Sequence, residues 1–277
     1  MKVVHEVVIV GAGIAGLATT LALNKTGIQI IVLEKAHELC ATGAAIPLSP
    51  NAWGHVTNLI TGATQVINFT GTINSGDIGA RAVHRKVLLE TLANELPENT
   101  IKFSINMSRP SPTSRNSKPT PSSPLKSKAL IGCDGVHSVV AQWLGLTAPV
   151  LSNRSAIRGL AVFPSGHDFK HEVHQLVGDG IRAGFVPVND TDVSKYSKFQ
   201  LCCFFNLAAS TLTHNGVVTV AGDAFHPMTP DLGQGGCTAL EDAVVLARCM
   251  ANSPDSMSSG MEMYVKEMRW RVAGIIT

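Results

Sequence analysis

Short runs of consecutive aliphatic residues alternate along this chain with stretches whose apolar positions recur every three or four residues. The first run, VVIV at 7–10, contains no polar residue. Such a run suits a parallel strand covered on both faces. A glycine cluster follows, and Ile14, Leu17, Ala18, Leu21 and Ala22 then recur at helical spacing until Gly27. The run IQIIVL at 28–33 predicts a second buried strand, ending at Glu34. The three pieces make one βαβ unit in about 30 residues.

The pattern continues with a helix over 88–96, a short strand over 128–131, a helix beginning within 136–143 and a strand over 156–163. A further buried strand falls at 217–220, a long apolar-striped helix at 237–250 and an amphipathic helix at 261–272. This alternation predicts an α/β fold. Residues 37–70 are turn-rich and show no clear period. Residues 108–127 carry Pro110, Pro112, Pro119, Pro121 and Pro124 among serines, threonines and basic residues. That composition buries too little apolar surface to offset ordering entropy, so a flexible Pro/Ser-rich loop is expected. A docking segment for a proline-binding domain is the minor alternative.

Composition narrows the function. Of 277 residues, 45% are hydrophobic and 15% charged, as in a globular protein with a sizeable core. A formal net charge of +2 gives no electrostatic reason to expect nucleic acid or an anionic membrane. The six cysteines form no CxxC pair, and free thiols are expected. No His/Cys cluster has metal spacing, so no metal is expected. No apolar run reaches the roughly 18–20 residues of a transmembrane helix. The strand pattern starts almost at Met1, which leaves little room for a leader; a cytoplasmic location is expected.

Three glycine-rich segments carry the chemistry. In Gly11-Ala12-Gly13-Ile14-Ala15-Gly16, Gly11 permits the tight strand-to-helix turn and Gly13 lets a pyrophosphate approach the backbone. Gly16 allows close helix packing. Ile14 and Ala15 open the helix, whose N-terminus favours anions. Glu34, with Lys35 beside it, is placed to accept hydrogen bonds from ribose hydroxyls and to repel a 2′-phosphate. This fingerprint alone does not separate FAD from NAD. The second segment, Gly132-Cys133-Asp134-Gly135, follows a strand. The third, Gly222-Asp223, also ends a strand and continues through Pro227 and Pro230 to Gly233, Gly235 and Gly236 at a helix start. A carboxylate at Asp223 can accept two hydroxyl hydrogen bonds, as a polyol offers. Gly233–Gly236 at a helix N-terminus favours a developing negative charge. Asp134 and Asp223 also have plainer readings, as a turn-former and a helix cap. His84, His137 and His226 are most simply structural, because no carboxylate partner is visible in the sequence. No catalytic side chain is assigned.

Taken in this order, the three motifs resemble those of the class A FAD-dependent monooxygenases, the aromatic hydroxylase type. The likeness is greatest to plant members related to salicylate hydroxylase and zeaxanthin epoxidase. The resemblance implies a Rossmann-type FAD/NAD(P)-binding fold, FAD as cofactor and NAD(P)H as reductant. It also implies oxygen transfer from O2 to an aromatic or unsaturated small molecule. It assigns Asp134 and Gly135 to the pyrophosphate side and Gly222 and Asp223 to the ribitol. It also implies that Arg85, at the head of a helix, contacts FAD. One FAD-binding domain is expected from 1–105, 128–150 and 214–277. Residues 151–213 are expected as a remnant of the substrate β-domain. The interval between the second and third motifs looks short for the family sheet. The segment after Asn51-Ala52-Trp53 looks shortened, and YSKFQLCCFFNLAASTLT at 196–213 reads poorly as strands. Family members usually continue beyond Arg269-Trp270-Arg271. A reduced sheet would open the flavin to water. Two alternatives therefore stand: a non-catalytic flavoprotein remnant, and an uncoupled NAD(P)H oxidase that makes hydrogen peroxide.

Overall fold

The computed structural model describes residues 5–39, 45–48, 53–58, 64–68, 81–107, 127–149, 155–170, 172–179, 181–199, 214–228 and 233–276. Its elements run β1 (His5–Val10), α1 (Ile14–Asn24), β2 (Ile30–Leu33), β3 (Ala45–Leu48), β4 (Trp53–Asn58), β5 (Thr64–Asn68), β6 (Arg81–His84), α2 (Arg85–Asn94), β7 (Ile101–Lys102) and β8 (Ser127–Gly132). They continue as α3 (Val139–Trp143), β9 (Ser155–Val162), β10 (Val173–Val177), β11 (Ile181–Pro187), β12 (Asp192–Phe199), β13 (His214–Asn215), β14 (Val218–Val220), a 3-10 turn at Gly222–Ala224, α4 (Gly235–Ala251) and α5 (Met257–Ile276). The fold is α/β, as expected. The predicted Pro/Ser-rich loop lies outside the described residues except for Ser127, which opens β8.

The first sheet has the order β13-β14-β8-β1-β2-β7. β14, β8, β1, β2 and β7 are parallel, and only β13 pairs antiparallel. Its inner strands are the continuously apolar runs of the sequence. Val7, Ile9, Val32 and Ile131 are fully buried because helices cover both faces. α1 packs closely on α4, and α4 on α5. α5 contributes Met261, Tyr264 and Met268, all fully buried, to the same core.

The second sheet has the order β5-β4-β10-β11-β12-β9. It takes strands from residues 53–68 as well as from 155–199. The turn-rich segment thus holds three strands that its period did not reveal, β3, β4 and β5. β4 gains its order by pairing with β10 on one side and β5 on the other. Residues 196–199 likewise form the end of β12, where the local pattern is poor. β9 and β11 flank them on both sides, and this pairing overrides local preference. Residues 200–213 lie outside the described residues.

The antiparallel pair β3–β6 joins the two sheets. Ala45 and Ala82 from this pair form a small core with Val173, Val186 and Val188 of the second sheet. On its other side, Ile46 lies against Gly236 at the head of α4: a Cβ added there would meet Ile46 Cγ2 at 2.8 Å. His84, the last residue of β6, holds Asp192 at the start of β12, Nε2 to Oδ2, at 3.1 Å. Among the described residues, no helix is long and apolar enough to cross a membrane.

Candidate functional site: a cleft along the carboxyl edge of the first sheet

β1, β2, β8 and β14 are parallel, so all four deliver the residue after the strand to the same edge. That places Gly11, Glu34, Cys133 and Ala221 side by side, and with them all three glycine motifs. The carboxyl edge is where open α/β sheets bind ligands. A cleft of about 310 Å³ opens there, lined by Gly13, Glu34, Lys35, Arg85, Asp134 and Gly135 among others.

The glycines of the first motif divide into two kinds. Gly11 has φ +99°, and a Cβ on it would lie 2.5 Å from the Cys133 carbonyl oxygen. A Cβ on Gly16 would lie 1.9 Å from the Gly11 carbonyl oxygen. Both are required by the protein's own packing. A Cβ on Gly13 would meet nothing within 4 Å, because Gly13 faces the cleft. Gly13 is also the N-cap of α1 and offers no side-chain oxygen to it. Ile14 and Ala15 thus begin a helix whose end has no side-chain cap.

The Glu34 carboxylate is fixed by backbone donors. Oε2 accepts the Ala12 N–H at 2.7 Å and Oε1 accepts the Ala36 N–H at 2.8 Å. Each oxygen keeps a further lone pair. Lys35 lies next to it on the cleft wall.

In the second motif, Asp134 Oδ2 accepts the Val139 N–H at 2.7 Å, at the start of α3. Its Oδ1 is buried and has no hydrogen-bond partner among the described residues. Gly135 has φ +82°, and a Cβ there would enter open space. His137 lines the same cleft. Ser138 caps α3, its Oγ accepting the Ala141 N–H at 2.9 Å.

The third motif sits on the first. Gly222 has φ +62°, and a Cβ on it would lie 2.6 Å from Ala15 Cβ. Asp223 follows, next to the head of α4: a Cβ on Gly235 would lie 3.9 Å from its Oδ1. Gly233, at φ +64°, leads into that helix. The Asp223 side chain reaches solvent within a crowded hollow. The loss of water there raises its pKa, while the charges of His226, Arg85 and Arg158 act to lower it and Asp242 adds to the rise. Arg85, the first residue of α2, thus belongs to the cleft and also exerts its field on Asp223. Pro230 lies outside the described residues.

Sequence reading saw no carboxylate partner for His84 or His226, and both have one: Asp192 meets His84 at 3.1 Å. His226 meets Asp242 on α4 at 2.6 Å, and both side chains are buried. The signal was available: Asp242 falls on the apolar stripe of α4 with Thr238, Ala239, Val245, Leu246 and Cys249, all buried. A carboxylate on such a stripe needs a buried partner. Among the described residues no group of three or more His, Cys, Asp or Glu could hold a metal.

The donor and acceptor set fits FAD. Bare backbone at Gly13 and Gly135 admits a pyrophosphate, and Glu34 suits a ribose. The buried Asp134 Oδ1 needs a donor, and Asp223 stands further along the same edge for a polyol.

Comparison with known proteins agrees. Residues 6–57 match a family model described as FAD dependent oxidoreductase, and residues 206–276 one described as FAD binding domain. Monooxygenase 2 of Arabidopsis thaliana is 34% identical over 358 aligned positions, covering 98% of this chain and 87% of the relative. Since 358 positions exceed the 277 of this chain, it aligns only with internal gaps. Monooxygenase 1 of the same plant is 32% identical, covering 97% and 87%. The 3-hydroxybenzoate 6-hydroxylase of Klebsiella oxytoca is 26% identical, covering 100% and 87%. Among solved structures, Klebsiella pneumoniae HpxO complexed with FAD and uric acid superposes with a TM-score of 0.78 at 21% identity, covering 98% of this chain and 86% of that one. The chain belongs to the class A FAD-dependent monooxygenases, in a shortened form.

Proposed function

We propose that this protein uses NAD(P)H and O2 to insert one oxygen atom into an aromatic or unsaturated small molecule, with FAD lying along the cleft from Glu34 to Asp223. The observation that carries this reading is the assembly of all three motifs on one sheet edge, where the buried acceptor Asp134 Oδ1, on a residue of the cleft wall, has no partner among the described residues.

FAD, when bound, supplies the electron and oxygen-transfer chemistry. The chain's own residues bind, orient and exclude water. Glu34 receives the ribose hydroxyls, with Lys35 beside it. Gly11, Gly13, Ile14, Ala15 and Gly16 present the α1 N-terminus to the pyrophosphate. Asp134 and Gly135 support the pyrophosphate from the other wall, and Arg85 adds a positive charge between the two ends. Gly222 and Asp223 meet the ribitol. Gly233, Gly235 and Gly236, with Pro230 before them, offer a bare helix start that stabilises negative charge on the reduced ring. One FAD-binding domain, assembled from 1–105, 128–150 and 214–277 but giving up β4 and β5 to the second sheet, carries that sheet as its cover.

The second sheet supports the substrate class. Side chains alternate along a strand, so Arg158, Leu160 and Val162 of β9 share a face with their partners Ser194 and Asp192. Asp192 holds His84, so this face looks toward the corner where Arg85 begins α2. Arg158 exerts its field on Asp223, and Leu160 and Val162 are exposed beside it. A cation among apolar side chains suits a ring that bears an anionic substituent. The HpxO neighbour is complexed with uric acid, a small heterocycle.

The test is NAD(P)H oxidation under ¹⁸O2 by FAD-loaded protein, with phenols and benzoates as substrates. One labelled oxygen per product is expected. Full recovery of the reducing equivalents as hydrogen peroxide with every substrate would make it an oxidase. No NAD(P)H oxidation at all would leave a non-catalytic flavoprotein.

A further inference from the structure

The turn that carries Asp223 is held from behind by one carboxylate. Asp242 Oδ2 accepts the Gly222 N–H at 2.6 Å, at the front of the turn. The same oxygen meets His226 Nε2 at 2.6 Å, at its back. The turn closes on itself through the Phe225 and His226 N–H groups, which donate to the Gly222 carbonyl at 2.8 and 2.9 Å. Between Gly222 and His226, Ala224 and Phe225 are buried, and only Asp223 reaches solvent. We propose that the buried Asp242–His226 pair is a positioning device: it locks the turn 222–226 so that the Asp223 carboxylate faces the polyol chain of the cofactor. This rests on the reading that Asp223 meets the ribitol.

A buried ion pair gives little net stability, since its attraction roughly offsets its desolvation. An apolar pair would fill the same space at no loss of fold. What the apolar pair could not do is bind a backbone N–H at one end of a tight turn and a side chain at the other. Gly222 is held in the left-handed region, and the Asp242 oxygen accepts its N–H there.

Among the described residues, few titratable or charged groups lie near His226. Asp242 comes from α4 and Asp223 from the turn itself. Tyr264 of α5 packs on Phe225, with ring centroids 6.0 Å apart, and donates its hydroxyl to the Val220 carbonyl at 3.2 Å. Cys133 follows β8 and, buried, is held neutral. Arg85 acts on Asp223 from the far side. Burial alone would lower the His226 pKa, but the field and hydrogen bond of Asp242, aided by Asp223, raise it above its ordinary value. That shift favours the imidazolium beside the Asp242 carboxylate. Its contribution is present at low pH and is lost as pH rises through that raised pKa.

The experiment compares FAD with ADP. ADP spans only the Glu34 and Gly13 end of the cleft, so it reports that the first sheet is folded without touching Asp223. Asp242→Asn retains an acceptor for the Gly222 N–H but removes the charge. Its FAD affinity is expected to fall about 10- to 100-fold, the scale of a lost charged hydrogen bond. Its ADP affinity should stay within about twofold, as for any site the change does not reach. FAD affinity of the unaltered protein should weaken as pH rises through the His226 titration, with ADP flat. Asp242→Asn and His226→Gln should both lack that alkaline limb. Equal losses of FAD and ADP would show that the pair merely holds the fold, and no loss of FAD would show that it positions nothing; either overturns the proposal. If the unaltered protein binds ADP but gains nothing from the rest of FAD, the Asp223 reading itself fails. If Asp223→Ala weakens FAD while Asp242→Asn does not, only the positioning device fails.

Discussion

Gly13 and Gly16 stand three residues apart and answer to different demands. Ala at a helical position ordinarily stabilises by about 1 kcal/mol relative to Gly. At Gly16 that gain is outweighed, because the new Cβ would sit 1.9 Å from the Gly11 carbonyl oxygen. Backbone overpacking costs about 1–3 kcal/mol. Gly16→Ala is therefore expected to lower the Tm of the cofactor-free protein by about 2–8 °C. At Gly13 the Cβ enters empty space, and the backbone there is extended, with φ −78° and ψ −172°. Gly13→Ala should leave Tm within about 3 °C and weaken both FAD and ADP at least about tenfold, by blocking the pyrophosphate. Thermal melts and calorimetric titration of the two variants separate the effects. All three glycines and their roles were legible in the motif, but not the neighbour that crowds Gly11: Cys133, brought next to it by the pairing of β1 with β8. Asp242 stood out on the apolar stripe of α4, but its partner did not: His226 lies sixteen residues away and meets it only after α4 docks.

At the scale of elements, the short helix α3 joins fold and site. Ser138 caps it through the Ala141 N–H, and Asp134 reaches the Val139 N–H from outside. Loss of an N-cap costs about 1 kcal/mol. Ser138→Ala should show that loss in chemical denaturation with FAD affinity unchanged. Asp134→Ala should show a similar loss of stability and also weaken FAD, because Oδ1 is the unmatched acceptor in the cleft. The elements of the first sheet were legible because burial on both faces demands unbroken apolar runs, and 7–10, 30–33 and 129–131 supply them. β3, β4 and β5 were not legible. They are ordered by partners far along the chain, β4 by β10 and β3 by β6, and their residues carry no sustained alternation of their own. α2 starts at Arg85, ahead of its first apolar residues, because β6 runs straight into it.

For the whole molecule, the question is whether a shortened chain keeps its cofactor site. The second sheet is present and is tied to the first by β3–β6, by the small core around Ala82, and by His84 with Asp192. The three motifs and this tie are present in a chain that aligns with the plant relative only with internal gaps. The order of the motifs in the sequence was enough to name the family. Their meeting on one edge follows from parallel strands, which place every strand end on the same side. The most direct measurement is the visible absorbance spectrum of the purified protein after FAD is added and unbound cofactor removed by desalting. The account predicts flavin bands at close to one FAD per chain. A colourless protein would contradict it, because three motifs that assemble one site cannot leave that site unable to hold FAD.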